Sequence, residues 1–258
     1  MTGLGPQSGR SKSFIHCLHD PRIDLNINGE SPGASALPLS FGIIVFPGFQ
    51  ALDAFGPLDA LNTLAGELST LSLNLSVIAA TMDPVSTKSP APSSATANFG
   101  QSIVPTHTFE TAPNLDVLII PGGGGTKHPE IIGAIDFVAK VYPSLKYLIT
   151  VCTGTRIAAR AGILDGKRAT TNKMNWDSVV SLRSQVKWVS HARWVVDGNI
   201  WTASGVSAGL DLTFAFIAKV YGQKAADDVA NILEYERHTD STWDPYAELY
   251  NLKDSSVA

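Results

Sequence analysis

The sequence predicts an α/β protein in which a parallel β-sheet is sandwiched between helices. Three observations carry that expectation: four short, continuously apolar runs of strand length, helical patterns lying between them, and turn residues that close the runs. A run that is apolar without alternation suits a strand buried on both faces, the state of a parallel strand covered by helices above and below.

The first run is SFGIIVFPG at 40–48, closed by Pro-Gly, and the next pattern, Pro57 to Ala65, is helical. LNLSVIAA at 73–80, LDVLIIPGG at 115–123 and KYLITVC at 146–152 repeat the strand signature, with helices expected at Glu130 to Val141 and Thr155 to Ala161. Beyond Leu164 the texture changes. RATT at 168–171 reads as a short strand and NWDSVVSLRS at 175–184 as a helix. Asp197-Gly198 separates two β-rich runs within ARWVVDGNIWTAS, a hairpin signal that predicts a small antiparallel β-hairpin flap. SAGLDLTFAFIAKVYG stops on Gly222 as a helix would, and KAADDVANILEYER supplies one more.

Residues 1–37 are rich in Gly, Ser, Pro and Asn without a sustained period and read as a flexible N-terminal leader, leaving 38–258 as a single domain. Apolar residues make up 44% of the chain and charged ones 16%, the profile of an ordered globular protein. With a net charge of -4 and no basic stripe, neither nucleic acid nor an anionic membrane surface is an expected partner. No apolar stretch serves as a signal-peptide core or a membrane span, so a cytoplasmic protein is expected. The two cysteines, Cys17 and Cys152, are not expected to pair. HCLH at 16–19 lacks further ligands at suitable spacing, so neither a metal nor another cofactor is expected.

Cys152 stands where a strand-like run gives way to a helix. In an open parallel sheet ligands gather beyond the carboxyl ends of the strands, and the amides at a helix start favour a thiolate. The same position also suits a small buried hydrophobe. Asp53 is a carboxylate in an apolar segment after the first strand, able to act as a proton donor if burial raises its pKa, or to cap a helix beginning at Ala54 or Pro57. Pro121 to Gly125 follow another strand. There Gly122 or Gly123 could turn backbone N–H groups toward the sulfur together with that of Thr153, or could serve the turn alone. No histidine follows Cys152, and His128 after the glycine run reads as a solvated loop residue.

FGIIVFPGFQALDAFGP, LDVLIIPGG, VCTGTRIAARAGILDGKRATTN and SGVSAGLDL together resemble the ThiJ/PfpI superfamily, and within it the isonitrile hydratase-like branch, over residues 40 to about 235. The resemblance implies a flavodoxin-like sheet of the class I glutamine amidotransferase kind, a homodimer, and a cysteine in a strained strand-to-helix elbow. By position it makes Cys152 the nucleophile, Asp53 its acid, and Thr153 with Gly122 and Gly123 the surrounding donors. Ser207, Gly209 and Asp211 align with the segment that closes the pocket. Asn172 stands where bacterial members of the branch often have histidine, and an amide cannot shuttle a proton. Trp176 and the RWVVDGNIW flap resemble fungal-type members and are expected, with Asn172, to shape the pocket.

The leading functional expectation is hydration of an isonitrile to an N-substituted formamide. A glyoxalase-type conversion of α-oxoaldehydes is the enzymatic alternative. A non-catalytic sensor acting through oxidation of Cys152 is the alternative of a different class. A DNA-binding regulator is not expected, because the 49 residues after Gly209 include an acidic helix and not a recognition helix.

Overall fold

A computed structural model describes residues 37–68, 71–89 and 98–254 of the chain. The expected leader, Cys17 and the His16 to His19 cluster lie outside the described residues, apart from Leu37.

The elements follow in chain order. β1 (Ser40–Ile44) leads into α1 (Ala51–Glu67) and β2 (Asn74–Ala79), followed by the short strands β3 (Val85–Ser86), β4 (Ser102–Ile103) and β5 (His107–Thr108). β6 (Val117–Ile120), α2 (Ile132–Val141), β7 (Tyr147–Val151) and α3 (Thr155–Arg160) come next. Then come β8 (Arg168–Ala169), α4 (Trp176–Val180), β9 (Lys187–Trp188), β10 (Trp194–Asp197), β11 (Ile200–Ala203), α5 (Ala208–Tyr221), α6 (Gln223–Ile232) and α7 (Tyr246–Leu249). Among the described residues no helix is long and apolar enough to cross a membrane.

The central sheet has seven strands in the order β10-β11-β7-β6-β1-β2-β5, parallel throughout except for the β10–β11 pair, and helices flank it. This is the flavodoxin-like α/β architecture. Its middle strands read as unbroken apolar runs because both faces are covered: Ile43, Val117, Leu118, Ile119, Leu148 and Ile149 have no exposed surface. α1, α5 and α6 pack on one another, as do α2 and α3.

Two departures from the sequence reading have physical causes. The hairpin forms around Asp197-Gly198, with Gly198 at φ +64, but it is no free-standing flap. β11 pairs in parallel with β7 in the register Ile200↔Leu148 to Ala203↔Val151, so the hairpin completes one edge of the central sheet, and Ile200 and Trp201 are buried accordingly. Helix α1 begins at Ala51, six residues before the proline that local propensity favours as a first helical position. Burial of Ala54, Gly56 and Leu58 stabilises the earlier start, and Pro57 sits inside the helix. Asp53 therefore lies in the first turn, while Gln50 holds the cap position.

Candidate active site

The site is built from the carboxyl end of β7 outward. Strand residue Val151 is followed by Cys152 at φ +58, left-handed backbone in a residue that carries a Cβ, which costs about 1–3 kcal/mol. Neighbouring groups hold the strained elbow. Thr171 Oγ1 donates to the Cys152 carbonyl at 3.0 Å and Thr155 Oγ1 approaches it at 3.4 Å. Gly154 permits the turn, because a Cβ there would stand 2.2 Å from the Ile120 carbonyl oxygen.

The glycine loop closes the space between the elbow and α1. Gln50 N–H donates to Gly122 O at 2.8 Å, Gly122 N–H to Asp53 Oδ2 at 2.8 Å, and Gly123 N–H to Thr153 Oγ1 at 2.9 Å. A side chain on Gly122 would stand 2.6 Å from Thr153 N and 2.9 Å from Asp53 Oδ2. This corrects one expectation: the Gly122 and Gly123 amides are already taken up by Asp53 and Thr153 and do not present a free oxyanion cradle. Thr153 does approach the sulfur, through both its N–H and its hydroxyl.

Asp53 has no exposed surface and Cys152 is 6% exposed. Burial raises the Asp53 carboxyl to about 7, against the opposing pull of the Gly122 N–H and the Cys152 thiol. Burial, and after it the charge of Asp53, pushes the Cys152 thiol up to about 12, with the Thr153 donors acting the other way. Asp53 Oδ1 has no well-formed hydrogen-bond donor, so the thiol perturbs the carboxyl without satisfying it. The thiolate expected from the start of α3 does not prevail. α3 has only six residues, a 3-10 turn precedes it, and burial beside a carboxyl outweighs its amides.

The remaining sequence candidates divide. Asn172 Oδ1 accepts from both N–H and Nδ2 of Asn175, at 3.1 and 2.9 Å, capping the 3-10 turn that opens α4 next to Thr171. Trp176 is buried edge-on against Trp188 at 6.2 Å with Lys173 Nζ 5.1 Å from its ring, a packing role rather than a pocket wall. Gly209 is a packing position too, since a Cβ there would stand 2.6 Å from Val151 Cγ1. Ser207 is exposed and its Oγ lies 3.5 Å from Arg193 Nη2, while Asp211 turns into the protein to pair with Arg193. His128 caps the turn at Glu130. Among the described residues no three His, Cys, Asp or Glu side chains gather as a metal site.

Sequence reasoning missed Thr171, 19 positions from the carbonyl it holds, and Lys173. Buried Lys173 Nζ donates to Thr170 Oγ1 at 2.7 Å and Ala192 O at 3.1 Å and lies 3.0 Å from Asp244 Oδ2. No local pattern marks either residue, because the Cys152 carbonyl held by Thr171, and Ala192 and Asp244 around Lys173, come from distant parts of the chain.

Comparison with known proteins places this geometry among relatives. The sequence pattern of the DJ-1/PfpI family matches residues 40–219. An isonitrile hydratase from Pseudomonas putida is 33% identical over 201 residues, covering 77% of this chain and 79% of that protein. The HTH-type transcriptional regulator GbdR of Pseudomonas aeruginosa is 27% identical over 55% of this chain and only 38% of its own length. Among solved structures, a ThiJ/PfpI family protein from Pseudomonas syringae superposes with a TM-score of 0.66 at 28% identity, covering 87% of this chain and 84% of that one.

Proposed function

The chain belongs to the DJ-1/PfpI family, and from that premise we propose that it is a cysteine-dependent hydratase converting small isonitriles to N-substituted formamides. One observation carries the proposal: a buried carboxyl, raised to about 7, lies against a thiol held in a strained elbow at the carboxyl edge of the sheet. A carboxyl near 7 is available as an acid at neutral pH and can take the proton back.

The reaction is an addition of S–H across the terminal isonitrile carbon. Protonated Asp53 gives its proton to that carbon as Cys152 Sγ bonds to it, and the thiol proton passes to the carboxylate just formed. The adduct is a thioimidate. Water then adds to the same carbon, the nitrogen gains a proton, and the carbon–sulfur bond breaks to return the Cys152 thiol and the formamide. Asp53 cycles between its two forms and is the relay, since Asn172 carries none of this traffic and is engaged as a cap. Thr153 steadies charge on the sulfur through its N–H and hydroxyl.

The proposal includes a homodimer in the cytoplasm, where the thiol stays reduced. Leu52, Phe55 and Leu75 line an apolar groove of about 590 Å³ along α1, the helix that carries Asp53, and the proposal seats the second copy there. Light scattering measures the mass.

The test is turnover of cyclohexyl isonitrile, with methylglyoxal run separately. Formamide from the isonitrile sustains the proposal. Lactate from methylglyoxal without formamide replaces it with the glyoxalase-type reading, and inactivity on both, with Cys152 alone modified by mild peroxide, replaces it with a sensor.

A further inference from the structure

Beyond the carboxyl ends of β1 and β2 lies a cavity of about 290 Å³. Phe46 after β1, Ala79 at the end of β2, Gly125 after β6 and Ala134 in α2 line it, whereas Asp53, Gly122, Cys152 and Thr153 do not. It is therefore separate from the site built on the thiol. β1 pairs with β2 on one side and with β6 on the other, so the chain reverses its direction across the sheet there. In open α/β sheets ligands bind beyond the strand ends at such a reversal.

The cavity is mostly apolar, and its exposed lining is acidic. Phe46, Ala79, Val85 and Ala134 are buried, and Phe109, stacked on Phe137 with ring centroids 5.1 Å apart, adds a second aromatic wall. Backbone ties fix the loops around it: Gly125 N–H donates to Gly48 O at 3.1 Å, and Gly48 N–H to Ser86 O at 2.9 Å, next to Val85. The volume is close to the lower end of small-molecule cavities, roughly 300–1,000 Å³, and so suits a small ligand. Asp83 and Glu130 are exposed members of the lining, which holds no lysine or arginine. Thr81 Oγ1 donates to Asp83 Oδ2 at 3.0 Å, and the ionic neighbour of Glu130 among the described residues is His128, at 3.7 Å.

We propose that this cavity is a second binding site, for a small primary amine with a compact apolar body. The body packs on Phe46, Val85 and Phe109, and the ammonium meets Asp83 and Glu130. An ammonium has three donors and no acceptor, which suits two carboxylates and the Thr81 hydroxyl. Exposed charges add little affinity, so burial of the apolar body supplies most of the binding and the two carboxylates select the sign of the ligand. The site does not rest on the hydratase reading.

The test is calorimetric titration of the full chain with benzylamine, benzyl alcohol and benzoate, which share a ring and differ in charge; it needs no isonitrile turnover. Benzylamine is expected to bind about tenfold more tightly than benzyl alcohol, with benzoate weakest. No binding of benzylamine, or benzoate binding as tightly, overturns the proposal. Ala134→Leu puts a larger side chain into the cavity and is expected to weaken benzylamine about tenfold or more, whereas Cys152→Ala leaves it unchanged. The opposite pattern assigns the amine to the thiol site and overturns the second site. If Ala134→Leu does not fold, Asp83→Asn combined with Glu130→Gln, both at exposed positions, is expected to weaken benzylamine about fivefold and leave benzyl alcohol as it was, and equal affinities for benzylamine in variant and wild type overturn the proposal.

Discussion

Two aspartates stand in the first turns of two helices, and both are sealed from water: Asp53 in α1 is 0% exposed and Asp211 in α5 is 1% exposed. Their surroundings are opposite. Asp211 Oδ2 accepts from Arg193 Nε at 2.7 Å and pairs with its Nη2 at 2.5 Å, while Oδ1 accepts from Tyr235 OH and His238 N–H, each at 3.0 Å. Asp53 has one backbone donor on Oδ2 and none on Oδ1, and its neighbour is a thiol rather than a cation. Burial alone does not decide what a carboxylate does. Supplied with four donors and a counter-charge it clamps the segment that follows α6 to the core, and deprived of them it becomes a group that trades protons near neutrality.

The widest separation between the two is expected in catalysis. Cys152→Ser and Asp53→Asn each lower kcat/KM for an isonitrile by about 10³-fold or more, measured by formamide production, and a smaller loss for Asp53→Asn breaks its role as the acid.

Stability should separate them by sign. Asp211→Asn leaves Arg193 buried and underpaired and costs about 3–5 kcal/mol, read from the denaturant midpoint. Asp53→Asn should do the reverse. Because the folded-state pKa of Asp53 is raised from 3.8 to about 7, the folded protein binds the extra proton across that interval and stability falls as pH rises through it. The variant therefore gains little at pH 4 and up to roughly 4 kcal/mol at pH 8. Equal midpoints at both pH values would mean that Asp53 is not desolvated as described.

The rate profile sharpens the contrast further. If protonated Asp53 is the acid, kcat/KM is full below about 7 and declines above it, with no rising limb from the thiol between pH 5 and 9, because Cys152 is pushed up to about 12. A rate that climbs through pH 8 would instead assign the work to a pre-formed thiolate.

The smallest effect concerns the loop that serves Asp53 alone. Gly122→Ala places a Cβ against Thr153 N and Asp53 Oδ2 and should destabilise by about 1–3 kcal/mol while slowing turnover. Gly209→Ala, against Val151, carries a similar stability cost without touching the carboxyl.

Much of this was legible in the chain. The four strands announce themselves because the covered stretches of a parallel strand under two layers of helix are predominantly apolar, and that pattern is local. Cys152 and the glycine loop fall at strand ends for the same reason. The hairpin turn is equally local, since Asp197-Gly198 needs no partner to be read. Its membership of the sheet is not, because pairing with β7 joins residues more than fifty positions apart. The start of α1 was expected at Ala54 or Pro57 and lies at Ala51, because packing of its first turn, not local pattern, sets it.

Periodicity and turn chemistry were thus enough to specify the layers of this protein and the edge of the sheet where chemistry collects. They are short-range consequences of burial and backbone geometry. Which aspartate is paired and which is left unsatisfied, and whose hydroxyl holds the elbow, were decided only when distant elements closed on one another. Desolvation and hydrogen bonding depend on all neighbours in space at once, and no stretch of sequence contains them.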